Sequence, residues 1–280
     1  MLLGHRDDKP DIRPRGAAIG QDMATLLLEP RREPRPLLLG SARLGIIWSA
    51  KSACTTVLLW YLWHRNLLQA ARAYGAWPHN FRNGVLYSDE TYRMWASQAE
   101  AGGWTWLRVI RDPYRRAVSS YRHAVLNGYE DRKMARRLKR PIPEGGGYSF
   151  EEFLDYLLRI DVSICNLHHK QQFHPLEERV TPHRIINVDR DDLMQALAAI
   201  DAELERPQEP VEALRAAVAE IGSAHHARYL SSGRDFSAVA LTCQDAVGEW
   251  PAYACFLNDS TRAKIANIYA VDLRRYSAFL

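Results

Sequence analysis

Three apolar runs, each closed by a turn and followed by residues with helical periodicity, set the plan of this chain. Residues 44–48, 104–110 and 184–188 read as strands. A helix is expected from Ser52 to about Tyr74, apolar nearly all the way round over residues 57–63, which places it inside the protein. Asp89 to Ala101 reads as helical up to the stop at Gly102-Gly103, and a further helix follows the second strand with Pro113 in its first turn. Ser149-Phe150-Glu151-Glu152 is a capping box opening an amphipathic helix through Leu158. Helices are also expected over residues 193–204 and 210–221. A last one, opened by Asn258-Asp259-Ser260, carries Ile265, Ile268, Tyr269, Leu273 and Tyr276 on one face.

Between these elements, residues 85–87 read as a short strand. Residues 130–147 read as a mobile basic loop carrying Arg132, Lys133, Arg136, Arg137, Lys139 and Arg140. Residues 1–35, interrupted by Pro10, Pro14, Pro30 and Pro34, read as a flexible arm, leaving residues 36–280 as a single domain. Strands alternating with helices imply an α/β fold in three layers, with a mostly parallel central sheet flanked by helices and ligands bound at the carboxyl ends of its strands.

At 280 residues, 47% of them hydrophobic, the chain is long enough to bury a full core. Its net charge of +4 suits an anionic ligand without demanding one. Cys54, Cys165, Cys243 and Cys255 form no CxxC pair, so neither a zinc site nor a disulfide framework is expected, and a reducing compartment is the simpler reading. The longest apolar stretch, residues 57–63, falls well short of the roughly 20 residues of a membrane span. Charged residues beginning at His5-Arg6-Asp7 argue against a signal peptide. The expectation is a cytoplasmic protein with no transmembrane segment and no nucleic-acid partner; a homodimer stays open.

The chemistry gathers in the first two turns. After residues 44–48 comes Ser49-Ala50-Lys51-Ser52-Ala53-Cys54-Thr55-Thr56, small and hydroxyl residues around one lysine at a helix start. There, free N–H groups and the positive end of the helix dipole make an anion cradle. After residues 104–110 comes Arg111-Asp112-Pro113-Tyr114-Arg115-Arg116-Ala117-Val118-Ser119-Ser120-Tyr121, the same plan with arginine. Arg111 at the strand end can grip a phosphate through two parallel hydrogen bonds, and Ser119 lies two turns into the following helix.

These residues resemble the sulfotransferases that use 3′-phosphoadenosine 5′-phosphosulfate (PAPS), and within them a soluble, bacterial-type member of the carbohydrate and Golgi-type branch. The resemblance rests on the Lys51-to-Thr56 loop, on the RDPxxRxxSxY string from Arg111 to Tyr121, and on Asn166-Leu167-His168-His169-Lys170-Gln171-Gln172. It covers about a third of the chain and implies a P-loop-like fold, PAPS as sulfuryl donor, no metal, and a hydroxyl-bearing acceptor, a carbohydrate or glycoconjugate. It implies further that Ser49, Ala50, Lys51, Ser52, Ala53, Cys54, Thr55 and Thr56 wrap the 5′-phosphosulfate, with Lys51 over the bridging oxygen. Arg111 and Ser119 would bind the 3′-phosphate. For the base that deprotonates the acceptor, His168, Glu90 (or Asp89) and His79 are the alternatives. A closing loop over the nucleotide would bring His225, His226, Arg228 and Arg234.

Blander readings stand beside each of these. Lys51 is otherwise a solvated lysine, Arg111 a structural ion pair, Cys54 a small buried spacer, and Tyr121, Arg115 and Arg116 packing and surface. The basic run 132–140 is a solvated segment or a recruiter of an acidic acceptor. The rival function is a P-loop NTPase or nucleotide kinase using ATP-magnesium, since residues 45–52 are one substitution from GxxxxGK[ST] and Asp112 could serve as a magnesium ligand. A catalytically silent binding module is the other alternative.

Overall fold

The apolar runs become strands, and the structure, a computed structural model, describes residues 22–29, 34–142, 146–225, 228–230 and 233–280. In chain order the elements are α1 (Met23–Leu28), β1 (Leu37–Leu39), β2 (Leu44–Ile47), α2 (Cys54–His64), α3 (Leu68–Tyr74), α4 (Pro78–Gly84), α5 (Glu90–Glu100), β3 (Thr105–Ile110) and α6 (Pro113–Asn127). Then come α7 (Asp131–Leu138), β4 (Gly146–Tyr148), α8 (Phe150–Leu157), β5 (Arg184–Asn187), α9 (Leu193–Asp201) and α10 (Val211–His225). The last are β6 (Arg228–Leu230), β7 (Leu241–Thr242), α11 (Cys243–Val247), β8 (Glu249–Pro251), α12 (Asp259–Ile268) and α13 (Ala270–Arg275).

The main sheet has the order β1-β2-β3-β5, antiparallel between β1 and β2 and parallel across β2, β3 and β5. The fold is α/β, a mixed sheet of mostly parallel strands flanked by helices. Every residue of β1 and β2 is buried, as is all of β3 after Thr105, which is why these strands read as unbroken apolar runs instead of alternating ones. Two short pairings, β4 with β7 and β6 with β8, lie outside this sheet.

Apolar packing forms two clusters. One surrounds the sheet and includes the whole buried run of α2, Val57 through Trp63; the other gathers Tyr121 of α6, Phe150 and Phe153 of α8, Trp250, Phe256 and Ile265. Helix α6 belongs to the second cluster, and no helix of the described residues is long and apolar enough to cross a membrane.

Several expectations are corrected. The helix expected from Ser52 to Tyr74 is two, because Asn66 takes φ +53° and turns the chain so that Leu68 is buried. Residues 85–87 are not a strand: Leu86–Ser88 is a 3-10 turn that buries Leu86 and Tyr87 without a strand partner. The basic segment contains α7, held by Met134 on the second cluster, with its charged residues on the outside. The last helix breaks at Tyr269 into α12 and α13. Within the expected arm, residues 1–21 and 30–33 lie outside the described residues, but α1 packs Leu26 and Leu27 into the core.

Gly45 faces Trp106 in the β2–β3 register, and a Cβ there would stand 2.2 Å from the Trp106 ring. Gly45→Ala is expected to lower stability by about 1–3 kcal/mol, read as a shift of the urea midpoint at constant slope.

Candidate functional site

Three loops meet at the carboxyl ends of the parallel strands. The loop after β2 ends in α2, whose N-cap is Ala53 with no side-chain cap, unlike α5, α6, α8 and α9, which Asp89, Asp112, Ser149 and Asp192 cap. The N–H groups of Cys54, Thr55 and Thr56 at the head of α2, and those of Lys51 and Ala53 before it, donate to nothing among the described residues. Lys51 at φ +68° and Ala53 at φ +53° both occupy the left-handed region, which costs a non-glycine residue roughly 1–2 kcal/mol. This strain curls the loop so that successive N–H groups converge.

The loop's carbonyls are drawn the other way by three arginines. Arg108 Nη1 donates to the Ile47 carbonyl at 3.1 Å, Arg116 Nε to Ala50 at 3.0 Å, and Arg111 Nη1 to Lys51 at 3.2 Å. The Ser49 carbonyl accepts from Ser52 N at 3.3 Å. Arg108, fully buried in mid-strand, also donates to Ser49 Oγ at 2.8 Å, to the Gln172 carbonyl and to Tyr276 Oη at 3.0 Å, and pairs with Glu177 at 3.1 Å. Burial opposes its charge, yet Tyr276, Glu177 and Asp272 hold the guanidinium above its ordinary pKa.

Gln172 is the other organiser. Its side chain accepts from Arg111 N and donates to the Arg111 carbonyl, both at 2.8 Å, and accepts from Ser52 Oγ at 3.1 Å. Its own N–H and that of Phe173 donate to buried Asp272, both at 2.8 Å. The segment around His168 to Gln172 is thereby clamped across the ends of β2 and β3. Asp189, after β5, binds Arg111 at 3.3 Å, Arg115 at 2.9 Å and the N–H of Asp112 at 3.1 Å.

Lys51 Nζ has no hydrogen-bond or ion-pair partner among the described residues. Burial pushes its pKa down to about 8, with the charges of Arg111, Arg122 and Arg116 adding to the effect and Cys54 opposing it. A desolvated ammonium ringed by guanidinium groups calls for an anion. His168 belongs to the same neighbourhood: burial first, then Lys51, His169, Arg116 and Arg82, push it down to about 3, so its imidazole is neutral. Its Nδ1 is buried without a partner, and its ring centroid lies 3.9 Å from that of His123.

His79 also reaches the loop, with Nε2 at 3.0 Å from Thr55 Oγ1. Arg82 Nη1 lies 2.8 Å from Nδ1, and because a guanidinium can only donate, Nδ1 is the acceptor and Nε2 carries the proton. In this tautomer His79 gives a hydrogen bond to Thr55 and is not poised as a base.

The structure therefore brings Lys51, Arg111, His168 and His79 to one place. Ser119 lies on α6, its hydroxyl uncommitted among the described residues, one turn from Arg115 and one from Arg122. Glu90 is exposed at the start of α5, and no hydrogen bond or ion pair among the described residues joins it to the loop; Asp89 caps α5 and faces Arg65 at 3.8 Å. Tyr121 is core, its hydroxyl donating to the Tyr148 carbonyl at 2.6 Å. The side chains of His225, His226 and Arg228 lie outside the described residues, and Arg234 sits over the Phe236 ring.

Arg108, Arg116, Gln172 and Arg82 escaped the sequence reading as functional groups. Arg108 shows in the sequence as a lone charge inside an apolar strand, Arg116 as the second arginine of the RDPxxRxxSxY string and Gln172 as the end of the 166–172 segment, though none of the three is given a functional role there.

Two measurements test this geometry. Arg108→Met is expected to cost about 3–5 kcal/mol in urea unfolding by leaving Glu177 buried and unpaired, with part recovered in Arg108→Met/Glu177→Gln. For Lys51, the unfolded chain holds the proton up to the ordinary lysine value while the folded chain releases it near 8. Its contribution to stability therefore rises with pH across that window, whereas anion affinity falls. Lys51→Met is expected to remove the pH-dependent rise relative to the parent chain, measured by urea unfolding at a series of pH values.

Compared with known proteins, the chain matches no protein-family model, no curated protein sequence and no solved structure, so its side-chain geometry is the ground for any functional reading.

Proposed function

We propose that this chain is a PAPS-dependent sulfotransferase with a P-loop-like fold, moving a sulfuryl group to an acceptor hydroxyl of a carbohydrate or glycoconjugate. The observation that carries the reading is the pairing of Lys51 and Arg111. An unpartnered, desolvated amine stands in a loop of free N–H groups, and the guanidinium that follows the next strand is bound to the carbonyl of that same lysine. In this reading the loop N–H groups hold the 5′ end of the donor. Arg111, whose Nη2 is uncommitted among the described residues, and the Ser119 hydroxyl, likewise uncommitted there, hold the 3′-phosphate.

The reaction asks little covalent chemistry of the protein. The bond from sulfur to the phosphate oxygen breaks, a bond from sulfur to the acceptor oxygen forms, and positioning with charge stabilisation supplies most of the rate. Lys51 stabilises the charge left on the departing oxygen. His168, neutral and with a free Nδ1, takes the acceptor proton, and the negative charge of a bound donor offsets the cations that depress its basicity.

For the ATP-magnesium alternative, Asp112 is the residue that would hold the metal. Its carboxylate is instead the cap of α6, accepting from Tyr114 N and Arg115 N, both at 2.9 Å.

Calorimetric titration with PAPS, its desulfated product and ATP-magnesium tests the reading, together with a sulfuryl-transfer assay over a panel of sugar and alcohol acceptors. Tight metal-free binding of the 3′-phosphorylated nucleotides is expected, and a preference for ATP-magnesium contradicts it. Lys51→Ala is expected to keep nucleotide affinity and lose about 100-fold in turnover, whereas Arg111→Ala weakens the nucleotide. Equal, mild effects from both would overturn the assigned roles.

A further inference from the structure

The positive charge of this chain is concentrated in one short stretch. Residues 130–140 hold six basic side chains against two acidic ones, an excess equal to the +4 of the whole chain, so the remainder is balanced. Helix α7 and its end carry it: Arg132, Lys133, Arg136 and Lys139 are exposed and Arg137 is half-buried. Lys133 pairs with Glu130 at 3.1 Å, and Arg140 with Glu152 at 3.1 Å. The side chains of Arg132, Arg136, Arg137 and Lys139 make no ion pair or hydrogen bond among the described residues.

Folding alone does not ask for this pattern. Arg132 with Arg136 and Lys133 with Arg137 are like charges four apart, which destabilise a helix, and Arg132 and Lys133 stand in the first turn, where the dipole opposes a cation. Met134 is the buried residue of α7, and the helix carries no aromatic ring and no exposed apolar side chain. It therefore offers neither a face to insert among lipids nor a platform on which bases stack. The root of the helix lies against the candidate base. The Tyr129 ring centroid is 5.7 Å from that of His168 and 6.0 Å from that of His169, on which it stacks. Glu130, fully buried, accepts from Tyr156 Oη at 2.9 Å and meets His169 Nε2 at 3.2 Å.

We infer that the outer face of α7 is a docking surface for a polyanionic glycan, a chain whose sugars carry carboxylate or sulfate groups beside the one that offers its hydroxyl. Arg132 and Arg136 lie one turn apart on one side of the helix and Lys139 follows at its end, a line of about 10 Å at 1.5 Å per residue. Charged groups on successive sugars thus find a cation each. A chain that places a hydroxyl at His168 runs past Tyr129 onto α7, so sugars that do not react supply affinity, and the same field speeds the encounter. The inference deepens the proposed function and rests on it for bringing the glycan to His168; docking on α7 is measured without donor and without turnover.

The test is a binding titration of the full chain over a series of salt concentrations. Its probes are a labelled chondroitin sulfate octasaccharide, a neutral dextran oligosaccharide of equal length, a single-stranded oligodeoxynucleotide of equal charge, and phosphatidylserine vesicles. The sulfated glycan is expected to bind most tightly and dextran not at all. In Arg132→Gln/Arg136→Gln/Lys139→Gln the slope of log affinity against log salt is expected to shrink by about one per residue removed, with affinity down about tenfold or more at low salt. Arg206→Gln/Arg215→Gln/Arg274→Gln removes the same charge from exposed positions elsewhere and is expected to bind as the parent does. Circular dichroism and urea midpoints monitor both folds; should the α7 variant lose its own, Arg136→Gln alone carries the test, with the slope reduced by about one. No binding of the sulfated glycan, equal losses in both triple variants, or tighter binding of the oligonucleotide or the vesicles would overturn the inference. Glycan docking without transfer from PAPS would sink the enzymatic reading alone; transfer to the glycan with unchanged KM in the α7 variant would sink this one alone.

Discussion

The burial of one guanidinium inside the sheet governs the rest. Arg108 sits where an aliphatic side chain would satisfy β3 more cheaply, and it is tolerated because its surroundings are arranged to saturate it: two strand carbonyls, Ser49, the Gln172 carbonyl, Tyr276 and Glu177. Apart from the neighbouring Val109 carbonyl, the partners come from three distant stretches of chain, 47–49, 172–177 and 276. Satisfying one charge therefore fixes the end of β2, the start of its loop, the segment crossing the strand ends, and the C-terminal helices, in one act.

That arrangement has an electrostatic consequence. Arg116 and Arg82 are buried, and the hydrogen bonds they make run to carbonyls, an amide oxygen and an imidazole, with aromatic faces over their guanidinium groups. Lys51 adds an amine with no ion-pair partner among the described residues. Concentrating like charges in this way destabilises the resting protein and stores attraction for whatever negative group completes the set. Strained φ angles at Lys51 and Ala53 belong to the same economy, since a relaxed loop would turn its amides apart.

Much of this was legible in the amino-acid pattern, and the gaps have physical causes. The strand-turn-helix units around Lys51 and Arg111 were visible because a parallel strand buried on both faces is a continuous apolar run and a helix start is marked by small and capping residues. Ser149 with Glu152 announced its helix by spacing alone. By contrast, α7 was hidden because only Met134 and its neighbours at helical spacing face inward, while charge dominates the count. The break at Asn66 and the 3-10 turn at Leu86–Ser88 depend on tertiary packing, which local propensity does not encode. Gln172 holds its place by reading the backbone of Arg111, which no side-chain pattern of the strand records. Glu90 follows residues 85–87, which do not form the expected strand, and its helix presents it to solvent.

The contact between Arg108 and Tyr276 spans 168 residues of chain, and that between Gln172 and Asp272 spans 100. During synthesis the Lys51 loop leaves the ribosome long before the groups that clamp the segment above it. A nascent chain that has already paired β2 with β3 still carries a buried arginine short of three partners, the Gln172 carbonyl, Glu177 and Tyr276. The clamp over the loop is thus completed late, and a chain interrupted before α13 would keep Arg108 buried without the Tyr276 hydroxyl that receives its Nε.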